Sequence, residues 1–250
     1  DNNSSDHEAT SSSSAQDLLR ETQLKTHSWT PQKDFDEFLA RRMSSGDIPA
    51  RHVTEQEFAE LYSLGHFLGE GATSSVRHAI RRSDGAEVAV KIIKASLMSK
   101  HRGLLREVSI LSQMRHPNII RLYHAFFTDD HFYVVTEFAH GEQLFDSIVR
   151  MRSYCERDAR ELVRTILGAV AYLHEQNVAH RDLKPENIIY DEHQEDPSKR
   201  VKIVDFGFAG CCFDDEHGSG FSTPGGTPGF KAPDMLFDAH YGKAVDVWSV

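Results

Sequence analysis

Residues 180 to 187 read HRDLKPEN. Two carboxylates (Asp182, Glu186), two permanent cations (Arg181, Lys184), an amide (Asn187) and a proline (Pro185) crowd into this stretch. Such a cluster is costly to bury and has no obvious packing role, so it points to chemistry on a charged or proton-bearing ligand. Three other stretches hold matching parts. In GEGATSSV, 69 to 76, Gly69 and Gly71 let a tight hairpin bring backbone N–H groups close to phosphate. Ser74 stands where a third glycine of such a pattern would fall, and on its own the stretch reads equally well as an ordinary turn. In VAVK, 88 to 91, Lys91 sits in an apolar run and needs an anion. Glu107 in LLREVSIL is a candidate partner, and the pair would hold the ammonium near a ligand's phosphates; a surface-facing lysine is the alternative. In VDFG, 204 to 207, Asp205 follows the apolar run VKIV and suits a divalent metal, or simply a turn.

The elements that must position these groups are legible from period and punctuation. YSLGHFLGEGA, SVRHAIRR and EVAVKIIK read as strands joined by glycine-containing turns. GLLREVSILSQM has helical apolar spacing, and Pro117 marks a stop beyond it. IIRLYHAFF and HFYVVTEFA read as strands; EQLFDSIVR and the long ERDARELVRTILGAVAYLHEQN read as helices. A strand-rich part with one helix therefore precedes a helix-rich part, dividing near 137 to 142, and a cleft between two lobes is the natural ligand site. Upstream, residues 1 to 15 are polar and Ser-rich and read as disordered. Phe35, Phe38 and Leu39 have helical spacing, and Thr54 with Glu57 forms a capping-box signal for a short helix leading into the domain.

The totals fit a globular chain: 250 residues, 39% hydrophobic and 26% charged. A formal net charge of −10 argues against broad nucleic-acid binding. The sequence contains no apolar run of membrane-spanning length and no signal-like start, so a cytoplasmic or nuclear location without membrane contact is the expectation. Three cysteines (Cys155, Cys211, Cys212) make a poor disulfide framework, and the vicinal pair reads either as redox-active or as two small, partly buried thiols. The 15 histidines lack metal-ligand spacing. The chain starts at Asp1 and stops inside the helix-like KAVDVWSV, so both ends read as cut.

Gly-rich hairpin, strand lysine, helix glutamate, HRDLKPEN and DFG occur in the order found in eukaryotic protein kinases, and from Leu64 onward the chain resembles that family. The resemblance implies an α+β fold with two lobes: an extension over 1–60, disordered or partly helical, an antiparallel N-lobe sheet plus one helix over 61–136, a hinge over 137–141, and a mainly helical, truncated C-lobe over 142–250. It implies ATP and Mg²⁺ as cofactors. By carry-over, Asp182 would accept the substrate hydroxyl proton, Lys184 would offset charge on the transferred phosphoryl, and Thr227 would contact both. Leu68, Gly69, Gly71, Val76, Ala89, Lys91, Glu107, Thr136, Glu137, Ala139 and Ile189 would form the nucleotide site, and Asn187 and Asp205 would hold the metal. Arg181 would sit under the activation segment, and His180 and Phe206 would stack in a column joining the lobes.

HRDLKPEN and Thr227 in GGTPGFKAPD resemble the serine/threonine type, and EQLFDSIV and YGKAVDVWSV are most similar to the calcium/calmodulin-dependent group. The implied partners are proteins with Ser/Thr acceptors and an upstream activating kinase acting at Ser222 or Thr223, in a segment that also holds Ser219; alternatively, the acidic Asp214, Asp215 and Glu216 supply the negative charge themselves. Calcium/calmodulin regulation is compatible with this group. Three departures stand out. Gln143 falls where relatives that prefer basic substrates carry Glu, although Glu186 remains; Asp234 replaces the Glu of the A-P-E triplet; and the helix of Asp246, which resembles the anchor of the HRD backbone, breaks off. The rival readings are an inactive truncated fragment and a nucleotide-binding scaffold of pseudokinase type.

Overall fold

The computed structural model describes residues 50 to 250 except 72–73, 97–101, 152–154, 192, 197–198, 212–219, 222–224 and 238–239. The expectations for residues 1–49, for Cys212 and for the acidic and hydroxyl residues between 214 and 223 lie outside the described residues.

The first half of the described chain builds one sheet. Its members are β1 (Ala50–His52), β2 (Tyr62–Glu70), β3 (Ser74–Arg81), β4 (Glu87–Lys94), β5 (Leu122–Phe127) and β6 (His131–Glu137), with helix α1 (Glu55–Leu61) between β1 and β2 and α2 (Arg102–Gln113) between β4 and β5. The order is β1-β5-β6-β4-β3-β2, antiparallel except for the parallel β1–β5 pair. Alternation sets the faces. In β4, Val88 and Val90 are fully buried on one face, while Ala89, Lys91 and Ile93 share the other. The Val88 face forms a core with Ala79, Tyr62, Phe126, Tyr133 and Val135.

The sheet recruits residues ahead of 61, the expected start of the N-lobe. Thr54 caps α1: its hydroxyl accepts from the Glu57 N–H at 3.1 Å, and the Glu57 carboxylate accepts from the Thr54 N–H at 2.7 Å. Phe58 then stacks on Tyr133 at 3.8 Å and closes the Val88 face. Burying that ring contributes about 2–3 kcal/mol. β1 carries no alternation signal of its own; its pairing with β5 comes from tertiary context.

In the second half, β7 (Glu142–Gln143), α3 (Leu144–Met151), α4 (Glu156–Glu175) and β8 (Val178–Ala179) precede a 3₁₀ turn at Pro185–Asn187. β9 (Ile188–Tyr190), β10 (Val201–Ile203), β11 (Gly210–Cys211), α5 (Asp234–Phe237) and α6 (Val245–Ser249) follow. The helix read from Glu142 starts two residues later, because Glu142 and Gln143 pair with Tyr190 and Ile189. Cys155 caps α4 through its sulfur, which accepts from the Asp158 N–H at 3.4 Å. Among the described residues no helix is long and apolar enough to cross a membrane.

Glu55 fastens α1 to the β5–β6 hairpin. Its carboxylate accepts from the hydroxyls of Thr128 and Tyr133, both at 2.5 Å, and meets His131 Nδ1 at 2.9 Å. Burial opposes ionisation, but these contacts outweigh it and hold the Glu55 carboxyl below its ordinary value of 4.5. A folded value below the unfolded one means that ionised Glu55 stabilises the fold above about pH 4.5, and that this contribution is lost as pH falls through the folded value. Glu55→Gln should therefore lower the melting temperature at pH 7 and flatten its decline on acidification. Parallel melting curves for the two proteins from pH 7 to 3.5 would contradict the role assigned to Glu55.

Candidate active site

Lys91 leaves the centre of β4 on the face opposite Val88 and Val90. Its ammonium donates to both carboxylate oxygens of Glu107 on α2, at 2.8 and 2.9 Å, and lies 3.5 Å from Asp205 Oδ1. Burial disfavours the ammonium, but Glu107 and Asp205 outweigh it and hold Lys91 above its ordinary value. Burial pushes the Glu107 carboxyl up, with Lys91 opposing. An ammonium gripped by both oxygens has the geometry of an ion pair, and the pair is taken as charged. The surface-facing alternative for Lys91 does not hold.

Strand register gathers other expected residues around Lys91. Val76 lies opposite Lys91, and Ala89 lies opposite Thr136, so the four share one face. Gly69 pairs with Val76, and the Gly71 N–H donates to Ser74 O at 2.8 Å to close the hairpin. A Cβ at Gly69 would meet nothing within 4 Å, so the protein's own packing does not demand a glycine there. Leu68 is exposed beside a register shift in β2. Ile189 pairs with Lys202 across β9 and β10, and Ala139 lies half-buried just after β6. The Glu137 N–H is already given to Arg121 O at 2.8 Å, which leaves its carbonyl as the group able to serve a ligand. Its carboxylate pairs with Lys202 Nζ at 2.7 Å, a contact between β6 and β10 that no local pattern announces.

HRDLKPEN forms a second cluster. Asp182 Oδ1 accepts from both the N–H and the hydroxyl of Thr227, each at 2.7 Å. Asn187 Nδ2 donates to Asp182 O at 2.8 Å and Oδ2 at 3.0 Å. Lys184 Nζ donates to Thr227 Oγ1 at 2.7 Å and lies 3.4 Å from Asp182 Oδ2. Thr227 thus donates a hydrogen bond to Asp182 while accepting one from Lys184, so one hydroxyl sets both charged groups. Nothing among the described residues donates to the Asn187 Oδ1, and the Asp205 carboxylate is about half exposed at 51%. These are hard oxygen donors of the kind Mg²⁺ takes. Asn187 O accepts from Val204 N at 2.9 Å, which fixes it one residue from Asp205.

The loop's backbone is anchored from α6. Asp246 is fully buried and accepts from the N–H groups of His180 at 2.8 Å and Arg181 at 2.7 Å, with His174 Nε2 at 2.9 Å. These bonds hold Arg181 at φ 65°, a left-handed conformation that non-glycine residues rarely adopt. Gly226 is pressed against the same turn: at φ 76° its missing Cβ would lie 2.5 Å from Arg181 O. The Arg181 side chain donates to Phe208 O at 2.8 Å and Tyr241 OH at 3.1 Å and lies over the Phe221 ring. The His180 and Phe206 rings, both fully buried, meet edge-on at 4.8 Å, and His180 Nε2 lies 3.1 Å from Val204 O. Gly226, His174 and Lys202 are site-supporting residues that sequence reasoning missed; GG before Thr227 was the only local sign of the first.

Comparison with known families matches the protein kinase domain over residues 62–250. Among curated proteins, calcium/calmodulin-dependent protein kinase type 1 of Macrobrachium nipponense is 44% identical over 191 residues, 76% of this chain and 54% of the relative. The protein of that name in Caenorhabditis elegans is 40% identical over 212 residues, 84% of this chain and 58% of the relative. Human calcium/calmodulin-dependent protein kinase type 1B is 39% identical over 196 residues, 78% and 55% respectively. The chain spans about half the length of these relatives.

Replacing Asp246 by Asn turns one charge-bearing acceptor into a donor facing a backbone N–H. The expected cost is about 3 kcal/mol in urea unfolding, since buried bonds to a charged group are lost and a donor is left unpaired. A change under about 0.5 kcal/mol would mean that Asp246 does not hold the loop.

Proposed function

Because the chain belongs to the protein kinase family, we propose that it transfers the γ-phosphoryl group of ATP to serine or threonine hydroxyls of other proteins. The observation that carries this reading is the Asp182 carboxylate, oriented by Thr227 and Asn187, with the Lys184 ammonium beside it. Asp182 accepts the proton of the attacking hydroxyl as its oxygen bonds to phosphorus and the bond to the departing diphosphate breaks. Lys184 offsets the charge spread over the transferred group. Phosphoryl transfer needs little more than positioning and charge stabilisation, and these fixed groups supply both without reorganising.

The nucleotide would lie on the Val76–Ala89–Thr136 face. Leu68, Val76, Ala89 and Ile189 would contact the base and sugar, and the Glu137 carbonyl and Ala139 backbone would bond the adenine edge. Gly69 and Gly71 would let the hairpin approach the phosphates, in keeping with the open space around Gly69. Lys91, steadied by Glu107, would hold the α- and β-phosphates. Asn187 and Asp205 would hold Mg²⁺, which when bound neutralises phosphate charge. A scaffold without activity would have no use for Asp182, Lys184 and Thr227 in this arrangement.

Regulation is proposed at two levels. Phosphorylation of Ser222 or Thr223 by an upstream kinase would add about −1.5 to −2 charges for Arg181 to receive. Arg106 on α2 offers a second cation: burial and the neighbouring Arg181 hold its guanidinium below the ordinary value. Phosphatase treatment that leaves activity unchanged would count against this. Calcium and calmodulin, which the relatives are named for, are proposed as regulators of the whole protein.

Asp182→Asn tests the central assignment. The rate of phosphoryl transfer to a Ser/Thr peptide should fall by about 10²–10⁴, the range for losing a general base. Nucleotide affinity, read by fluorescent-nucleotide displacement, should stay within about threefold. Turnover equal to the parent would remove Asp182 from its role.

A further inference from the structure

On the face of the sheet turned away from Lys91 there is a cavity of about 380 Å³ lined by Arg51, Leu61, Tyr62, Arg81, Ser83, His124 and Phe126. Strand register fixes which face this is. Phe126 pairs with Tyr133 and His124 with Val135, both on the Val88 side, whereas Lys91 pairs with Val134. The cavity exists because β1 and α1 are docked on the sheet. Arg51 comes from β1 and pairs in register with Phe126; Leu61 ends α1; Tyr62 pairs in register with Arg81. Each arginine is thereby set beside an aromatic ring, with the Arg51 guanidinium 5.3 Å from the centre of Phe126 and that of Arg81 5.3 Å from Tyr123.

The interior is aromatic and the rim is cationic. Tyr62, His124 and Phe126 meet one another at ring separations of 5.6 to 6.3 Å, and Tyr62 OH is fixed to His124 Nδ1 at 2.6 Å. Burial and then both arginines depress His124, so the two guanidinium fields reach into the cavity and His124 adds no charge of its own. Two carboxylates bear on the balance. Asp84 grips Arg81 through two bonds, at 2.9 and 2.7 Å, which orients the guanidinium and cancels much of its charge. Glu57 feels the field of Arg51 but bonds the Thr54 backbone instead. The Arg51 side chain makes no hydrogen bond or ion pair among the described residues. On a chain of net charge −10, a ring-lined cavity with the unpaired guanidinium of Arg51 at its rim is a local reversal of sign.

We propose that this cavity binds an anion carried on an aromatic ring: an aryl phosphate or aryl carboxylate. The ring would pack edge-on against Tyr62 and Phe126, as aromatic pairs prefer. The anion would face the planar fork of Arg51, which matches phosphate and carboxylate oxygens in pairs. The volume falls within the range of small-ligand sites, and aromatic walls with a few placed polar groups are a usual feature of them. The site is separate from the nucleotide face, and the inference does not rest on the kinase reading.

The probe is phenyl phosphate, titrated into the whole chain by calorimetry and by NMR of the Tyr and His ring signals. Binding in the submillimolar range is expected, weakened about tenfold or more by Arg51→Gln and by raising salt from 50 to 500 mM. It should persist with the nucleotide face saturated by a non-hydrolysable ATP analogue. Arg81→Gln gives a second variant should the first perturb folding, which circular dichroism would reveal. A phosphotyrosine-containing pentapeptide distinguishes the two sources of the same chemistry: binding at least tenfold tighter than phenyl phosphate indicates a side chain of a partner, and equal binding indicates a free metabolite. The proposal is overturned by no binding at 10 mM, by unchanged binding in folded Arg51→Gln and Arg81→Gln, by inorganic phosphate binding as well as phenyl phosphate, or by displacement with the ATP analogue.

Discussion

A single ammonium joins three parts of this molecule that are distant in sequence. Lys91 belongs to the sheet, Glu107 to helix α2, and Asp205 to the turn after β10, and the lysine touches both carboxylates. Lys91 and Glu107 would each be expensive to bury alone; together they compensate one another. The pair therefore fixes the helix against the sheet and brings the metal-competent carboxylate to the same place. The partnering is also selective, because a helix displaced by one turn would leave Glu107 buried without a cation.

The second half of the site rests on a different device. Asp246 takes two successive backbone N–H groups and so holds Arg181 in a left-handed conformation, while Gly226 closes over the carbonyl of the same residue. Asp205, at φ 58°, is another of the three described non-glycine residues in that region, with Asn177 the third. Strained backbone at both ends of the site is maintained because surrounding bonds over-determine it. The consequence is that the backbone positions of Asp182 and Thr227 are fixed before the Lys184 ammonium reaches them.

Much of this was legible in the sequence, and the parts that were not share a cause. Period-2 alternation in EVAVKIIK and the apolar spacing of α2 identify elements from local pattern, and the capping box at Thr54 announces α1 to the residue. HRDLKPEN declares its chemistry through residue type, although its geometry depends on Thr227 and Asp246, which lie tens of residues away. The misses are all non-local. β1 is a three-residue strand with no alternation, visible only once β5 is beside it. Glu142 and Gln143 look helical in sequence and are drawn into a strand by Tyr190 and Ile189. Glu55 has nothing near it in sequence to suggest Thr128, Tyr133 and His131, and Glu137 nothing to suggest Lys202.

The account depends most on Lys91 and Glu107 acting as one unit, and a double-mutant cycle measures that directly. Lys91→Met, Glu107→Gln and the double variant would be compared with the parent in phosphoryl-transfer rate and in urea stability. If the pair acts as a unit, the double variant loses little more than either single one, leaving a coupling free energy of at least about 1 kcal/mol. Strictly additive losses in both measurements would mean that the two charges act independently, and would contradict the account.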